Sequence, residues 1–110
     1  MLEFKIGIDR TSDYCLITVK GHCIRTQAEA LEGVIDNCKH QTGIIIDLQE
    51  AILDSSGIGA LLEAQFKPKK FKLCLVGVSP LLTAQMKKLR IYQFFTIFID
   101  TRQAVSWICS

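Results

Sequence analysis

The chain has 110 residues, of which 49% are apolar and 22% charged, with two prolines and seven glycines. This length suits one domain spanning residues 1–110, and the composition is typical of a compact chain rather than a disordered one. The formal net charge of +2 is too small to indicate a nucleic-acid partner. No apolar run approaches the roughly 18 residues of a membrane span, and Glu3 and Lys5 place charge too early for a secretory leader. We therefore expect a cytoplasmic protein.

The cysteines are odd in number and include no CxxC pair. Most fall within predicted strands and helices, where cysteine behaves as a small apolar residue. His22 and His40 are the only histidines, and no spacing among these residues matches a zinc site. We expect buried, reduced thiols, no metal site and no cofactor. The cysteines are Cys15, Cys23, Cys38, Cys74 and Cys109.

The first two predicted elements are strands joined by a short turn. Residues 2–8 alternate between apolar and polar, and residues 14–20 are rich in β-branched side chains. The polar residues 9–13 between them favour an antiparallel hairpin. Gly21 is expected to break the second strand. The apolar face of the first strand is predicted to carry Leu2, Phe4, Ile6 and Ile8.

A helix is predicted after this hairpin. Thr26, followed by Glu29 three residues later, matches a capping box with Thr26 as the N-cap. The helix is expected to end between His40 and Gly43, because glycine separates it from the next apolar run. The face predicted to be buried carries Ala28, Leu31, Ile35 and Cys38.

The following stretch begins as a strand and ends as a helix. Three consecutive isoleucines at 44–46 favour a buried strand, which Asp47-Leu48 is expected to close. Asp54-Ser55-Ser56 then lies in the loop leading into a helix. The first N–H groups of that helix have no intrahelical partner and favour an added negative charge. The apolar face predicted for the helix carries Ile58, Leu61, Leu62 and Phe66.

Two further strand–helix pairs complete the chain. Residues 71–78 predict a buried strand, and Ser79-Pro80 predicts a helix start with serine as the N-cap. Residues 96–99 predict a short strand, and Asp100-Thr101 caps a last helix. The whole order predicts an α/β domain: a mixed, mostly parallel sheet of about five strands with an antiparallel N-terminal hairpin strand, covered by about four helices. The apolar faces of the last two helices are predicted to carry Leu82, Met86, Leu89, Ala104, Val105, Trp107 and Ile108.

This order of elements resembles the STAS domain family, to which bacterial anti-sigma-factor antagonists and the cytoplasmic tails of sulfate transporters belong. The most specific part is Asp54-Ser55-Ser56-Gly57-Ile58-Gly59, which opens a helix after a strand closed by Asp47-Leu48. Gly21 before the first helix and Ser79-Pro80 before the third also fall where the family tends to have them. The resemblance covers essentially the whole chain.

The resemblance implies a non-enzymatic regulatory protein that binds an anti-sigma factor. In the antagonists, the anti-sigma factor is itself a serine kinase, and it phosphorylates the first hydroxyl after the aspartate. The unmodified antagonist binds that kinase and frees the sigma factor. The phosphoacceptor here would be Ser55, and the protein would be a bacterial phosphoprotein of transcription regulation. The switch turn and partner-binding residues would be Asp54, Ser56, Gly57, Ile58 and Gly59.

A departure from the family pattern leaves an alternative open. Antagonists often carry an acidic residue shortly after the glycine that ends the second strand, whereas His22-Cys23-Ile24 has none. The alternative is a STAS subunit or tail of a membrane transport complex for lipids or anions, without phosphorylation and with an ATPase or permease as partner. The basic cluster Lys67, Lys69, Lys70 and Lys72 is either a solvated turn or a patch for acidic protein or anionic lipid.

Catalysis by the serines of the turn is not indicated. Ser55 lies outside a G-x-S-x-G sequence, and the two histidines are the only candidate imidazole bases. Gly57-Ile58-Gly59 does not extend to G-x-G-x-x-G, so nucleotide binding has little support.

Overall fold

The computed structural model describes residues 3–38, 41–67 and 70–110. Strands and helices alternate after an initial pair of strands, as the sequence predicts. In chain order the elements are β1 (Lys5–Arg10), β2 (Tyr14–Cys23), α1 (Arg25–Asn37), β3 (Gly43–Leu53), α2 (Ser55–Phe66), β4 (Lys72–Val76), α3 (Pro80–Lys88), a 3₁₀ turn (Tyr92–Phe94), β5 (Ile97–Phe98) and α4 (Thr101–Ile108).

The five strands form one sheet in the order β1-β2-β3-β4-β5. β1 and β2 are antiparallel, with Arg10 opposite Cys15, and every later pair of neighbours is parallel. Two parallel neighbouring strands need a crossover connection. From β2 onward, a helix therefore connects each strand to the next one in the chain. The predicted fold class, a mixed sheet with an antiparallel N-terminal hairpin, is confirmed, and the domain is a single compact body.

The two faces of the sheet are covered unequally. Helices α1, α2 and α3 pack on one face, where side chains such as Leu31, Leu61 and Met86 are buried against the sheet. Helix α4 packs on the other face over β3 and β4, where Ala104 and Ile108 join a smaller cluster. Tyr14 and Leu16 at the start of β2 pack against this cluster, whereas no described residue of β1 belongs to it.

Helix α1 buries the face that the sequence predicts, but it does not begin with a capping box. Ala28, Leu31 and Ile35 are buried. The N-cap is Ile24, which makes no side-chain cap hydrogen bond. Because the helix starts at Arg25, Thr26 already lies inside the first turn, and its hydroxyl donates to Gln27 Oε1 at 3.1 Å. The capping-box prediction is wrong for this reason.

Strands β2 and β3 are both longer than predicted. Neither Gly21 nor Asp47-Leu48 ends a strand, since the ladder continues until Cys23 lies opposite Leu53. The register shifts by one residue between Thr18 and Lys20, because β3 has one more residue than β2 over this stretch, as in a β-bulge. The longer pair carries the chain directly from the sheet into the start of α2.

Three apolar residues predicted to face the core are instead exposed: Ile8, Phe66 and Leu89. Phe66 is the last residue of α2, and Leu89 follows the last residue of α3, so both lie where the helix leaves the sheet. Ile8 is on the edge strand. The predictions for Leu2, His40 and Lys69 lie outside the described residues.

Two predicted helix caps are confirmed. The Ser79 hydroxyl accepts the Leu82 N–H at 3.1 Å, and Asp100 Oδ1 accepts the Gln103 N–H at 2.9 Å. Each bond satisfies one of the N–H groups that a helix start leaves without a partner.

One member of the predicted basic cluster is tied to the C-terminal helix. Lys72 Nζ donates to the Trp107 carbonyl at 2.8 Å and lies 5.3 Å from the centroid of the Trp107 ring. Lys67 forms an ion pair with Glu63 one helical turn earlier, at 3.6 Å. These contacts favour the interpretation as a solvated turn over that of a patch for an acidic or lipid partner.

Four of the five cysteines are buried free thiols, as predicted, whereas Cys109 is exposed. Cys15 Sγ and Cys38 Sγ lie 2.6 Å apart and join the start of β2 to the end of α1. Burial raises the pKa of the Cys74 thiol to about 12. Such thiols stay protonated and unreactive at neutral pH.

The raised pKa of Cys74 predicts a loss of stability in alkaline solution. Below pH 9 the thiol is protonated in both the folded and the unfolded chain. As the pH rises from 9 towards 12, the unfolded chain loses its proton first, so the free energy of unfolding falls. Relative to a Cys74→Val variant, the parent should lose about 2 kcal/mol between pH 8 and pH 11 in urea titrations. If the free energy of unfolding fell equally with pH in both proteins, the raised pKa of the buried Cys74 thiol would be contradicted.

Candidate functional site

The candidate site is the junction between β3 and α2. Asp54 is the only residue between the two elements and is the N-cap of the helix. Its Oδ1 accepts the Gly57 N–H at 3.0 Å, and its carbonyl oxygen accepts the Ile58 N–H at 3.0 Å. The side chain and the main chain of Asp54 therefore fix the turn together.

The two serines lie within the first turn of α2 rather than in a loop before it. Ser55 is the first helical residue and is exposed, while Ser56 is half-buried. The N–H groups of a first helical turn carry a partial positive charge, which stabilises a nearby anion. The Ser55 hydroxyl is thus open to solvent at a position that tolerates added negative charge.

Gly57 and Ile58 lie beneath this turn and are buried. A Cβ on Gly57 would be 3.0 Å from the Cys23 carbonyl oxygen and 3.2 Å from Leu53 Cβ. The Ile58 side chain is part of the main core. These two residues hold the turn against the ends of β2 and β3, so the Ile58 side chain supports the surface rather than offering a contact to a partner.

Gly59 has the opposite environment. It is exposed, and a Cβ at this position would have no neighbouring atom within 4 Å. Residues four apart lie side by side on a helix, so Gly59 is next to Ser55 on the exposed face of α2. The fold does not need glycine here, and a partner could contact the bare helix backbone at this point.

The contrast between the two glycines gives a matched prediction. Gly57→Ala should lower the free energy of unfolding by about 2 kcal/mol, because the new methyl group presses on backbone and on Leu53. Gly59→Ala should raise it by about 0.5–1 kcal/mol, because alanine is the better helix former and nothing obstructs it. Urea denaturation of the two variants beside the parent measures both. Equal stabilities would contradict the packing described for the turn.

The end of β2 forms one wall of the turn. The Cys23 carbonyl accepts the Asp54 N–H at 3.4 Å. Burial, and secondarily the negative charge of Asp54, raises the pKa of the Cys23 thiol to about 11. The segment His22-Cys23-Ile24 thus brings a neutral thiol, and no carboxylate, to the candidate site.

Two isoleucines beside the turn were missed by the sequence analysis. Ile52 precedes Asp54 by two residues, Ile24 follows Cys23, and both are exposed. Ala51 and Leu53 are buried while Ile52 is not, which is the two-residue alternation of a strand. That pattern would have revealed Ile52 if the residues after Leu48 had been assigned to the strand instead of to a turn.

No metal-binding cluster is found in the described ranges 3–38, 41–67 and 70–110, where no three His, Cys, Asp or Glu side chains are grouped to hold an ion. Over the same ranges, every helix is too short or too polar to cross a membrane.

The family model for the STAS domain matches residues 5–104, which include the whole sheet, the turn and the first half of α4. The chain belongs to the STAS domain family. No curated protein sequence matches the chain. The resemblance based on the Asp54–Gly59 stretch is therefore confirmed at the level of the family.

Solved structures show the same STAS fold. An anti-sigma factor antagonist from Mycobacterium paratuberculosis has 17% identity and a TM-score of 0.84, covering 98% of this chain and 96% of that chain. The Bacillus cell fate determinant SpoIIAA in its phosphorylated form has 17% identity and a TM-score of 0.68, covering 96% and 99%. A sulfate transporter family protein from Wolinella succinogenes has 21% identity and a TM-score of 0.73, covering 86% and 83%. At these identities the comparison establishes the fold.

Proposed function

We propose that this STAS domain acts as an anti-sigma-factor antagonist, binding an anti-sigma factor with serine kinase activity and switched by phosphorylation at Ser55. The observation that carries the proposal is the exposed Ser55 hydroxyl at the start of α2, held by the Asp54 cap. The resemblance to an anti-sigma factor antagonist and to a phosphorylated SpoIIAA supports it. The role is binding rather than catalysis, in the bacterial cytoplasm where sigma factors act.

The switch would work at the surface and leave the core unchanged. A phosphate on Ser55 adds about −1.5 to −2 charges at pH 7, next to the carboxylate of Asp54. The positive end of α2 partly offsets this charge, and the buried Gly57 and Ile58 are not displaced. A partner docked on the turn would lose its fit through charge and bulk, so affinity falls without refolding.

The partner surface would combine the exposed parts of this region. Ser55 and Gly59 supply a stretch of helix without large side chains, and Ile24, which follows the end of β2, supplies exposed apolar area. A specific interface usually combines an apolar core with a polar rim, and this region offers both kinds of surface. The negative charge of Asp54 would add to that of a phosphate on Ser55, so the two together would repel the partner more strongly.

Incubation with the cognate anti-sigma kinase and ATP tests the proposal. The intact mass should rise by one phosphoryl group, located at Ser55 by peptide sequencing. A Ser55→Ala variant should stay unmodified, while Ser56→Ala, which changes the half-buried neighbour, should be modified as the parent is. Phosphate on Ser56 alone, or equal modification of the Ser55→Ala variant, would contradict the assignment.

A second candidate is a constitutive STAS subunit of a transport complex with an ATPase or permease. An exposed aromatic pair at the far end of α2 favours it: Phe66, 60% exposed, and Phe94, 43% exposed, have ring centroids 5.1 Å apart. The length of α2 places this pair about 16 Å from Ser55. The resemblance to a sulfate transporter family protein is consistent with such a role. This candidate predicts co-purification with a membrane ATPase or permease that Phe66→Ser weakens and Ser55→Asp does not.

A further inference from the structure

Within the part of the chain that the structure describes, strand β1 pairs on one side of its backbone and not on the other. It is an edge strand: β2 lies on one side, and among the described residues no strand lies on the other. The Thr11 N–H donates to the Tyr14 carbonyl at 2.9 Å where the hairpin closes. Because hydrogen-bonding direction alternates along a strand, odd-numbered residues of β1 face β2. The N–H and C=O groups of Ile6, Ile8 and Arg10 therefore point away from the sheet.

We propose that β1 pairs antiparallel with β1 of a second copy of this chain, in the register centred on Gly7. In this register Ile6 lies opposite Ile8 of the second copy, and these are residues whose backbone groups are free. Lys5 lies opposite Asp9 of the second copy, twice by symmetry, and opposite charges across strands stabilise the pairing. The side chain of Ile8, 43% exposed in the monomer, gains an apolar neighbour.

Neighbouring registers fit less well. The free groups belong to even-numbered residues, so an antiparallel ladder can be centred on a residue and not between two. Centring on Ile6 sets Glu3 against Asp9, and centring on Asp9 sets that residue against itself, both with like charges. Centring on Ile8 sets Lys5 against Thr11 and forms no charge pair. Of these registers, the one centred on Gly7 is the one that sets Lys5 and Asp9 opposite each other.

Gly7 suits the centre of such an interface. A Cβ on Gly7 would meet only Thr18 Cβ, at 4.0 Å, so the monomer does not require glycine there. The central pair would be of the non-hydrogen-bonded kind, in which the strands come closest, with Cα atoms about 4.5 Å apart. Two glycines facing each other leave no side chain to obstruct that approach.

The pairing would make a continuous sheet from two five-stranded sheets. The Asp54–Ser55 turn follows β3, which β2 separates from the edge strand, about 10 Å away. Both turns of the pair would stay accessible, so the dimer would present two binding sites in one body. The inference is independent of the proposed phosphorylation, because it rests only on β1.

Charge reversal tests the register by sedimentation velocity over a range of protein concentrations. The parent should show a weak, concentration-dependent dimer. Lys5→Asp alone and Asp9→Lys alone should each weaken it by about tenfold or more, since each sets like charges opposite twice. The double variant should dimerise like the parent, and an equimolar mixture of the two single variants should form a heterodimer.

Both variants should fold. Lys5 and Asp9 are exposed, and Lys5 lies opposite Lys20 within the monomer, so reversing its charge removes a like-charge pair there. Far-UV circular dichroism of each protein provides the check. A parent that stays monomeric at the highest concentration overturns the proposal, and so does a double variant that associates no better than either single variant.

Discussion

Replacing Ser55 with aspartate should abolish tight binding to the partner kinase while the domain stays folded. The side chain is exposed at the first position of α2, where the helix stabilises a negative charge, so the free energy of unfolding should change by a few tenths of a kcal/mol at most. In a complex, the same charge would be buried against the partner beside Asp54. Loss of one desolvated contact costs about 2 kcal/mol or more, which corresponds to about thirtyfold weaker binding.

Isothermal titration of the kinase with the Ser55→Asp variant measures this effect. Ser55→Ala should bind like the parent, because it removes the phosphate acceptor and adds no charge. Ser106→Asp is the matched control: it introduces the same charge at an exposed serine of α4, on the opposite face of the sheet. If Ser55→Asp binds as tightly as Ser106→Asp, charge at the turn does not control the interaction.

Replacing Gly21 with alanine should cause the largest loss of stability among the glycine substitutions considered. Gly21 has a φ of +82°, a conformation that costs other residues about 1–2 kcal/mol. A Cβ there would also overlap the Glu3 carbonyl oxygen and lie 2.7 Å from the carbonyl carbon. Since both obstacles are backbone, the chain itself must move, and we expect a loss of about 3 kcal/mol or more.

Guanidinium denaturation of Gly21→Ala beside Gly33→Ala tests this prediction. Gly33 lies in α1 with no atom within 4 Å of an added Cβ, so its replacement should stabilise the domain by up to about 1 kcal/mol. The damage at Gly21 should also reach the candidate site, because Cys23, two residues later, accepts the Asp54 N–H. A Gly21→Ala protein as stable as the parent would show that the backbone of β2 can adopt another conformation at this position without loss of stability.

The order of elements was predictable because the hydrophobic pattern is strong. The isoleucines at 44–46 and the faces of α1 and α4 point inward as their spacing requires. The end of β3 was not predictable, because Gln49 and Glu50 suggest a turn. Only the pairing with the long β2 keeps these residues in the sheet. The start of α1 was missed for a similar reason, since the helix begins where β2 ends and not where Thr26 offers a cap.

The candidate site was predictable in part. The position of Asp54 and Ser55 at a helix start follows from local sequence, because a capping residue precedes an apolar helical pattern. The burial of Gly57 and Ile58, and the exposure of Gly59, depend on how α2 lies against Leu53 and Cys23. These contacts join residues that are up to 34 positions apart in the chain. Tertiary packing therefore decides which residues of the turn a partner can reach.

Affinity purification of the protein from its own cell, followed by phosphopeptide mass spectrometry of the same sample, tests the proposed switch most directly. We expect an anti-sigma kinase to co-purify with the unmodified protein, and we expect the phosphorylated fraction to carry its phosphate on Ser55 and to lack that partner. Recovery of a membrane ATPase or permease, with Ser55 unmodified under every growth condition, would contradict the switch and favour the transport role.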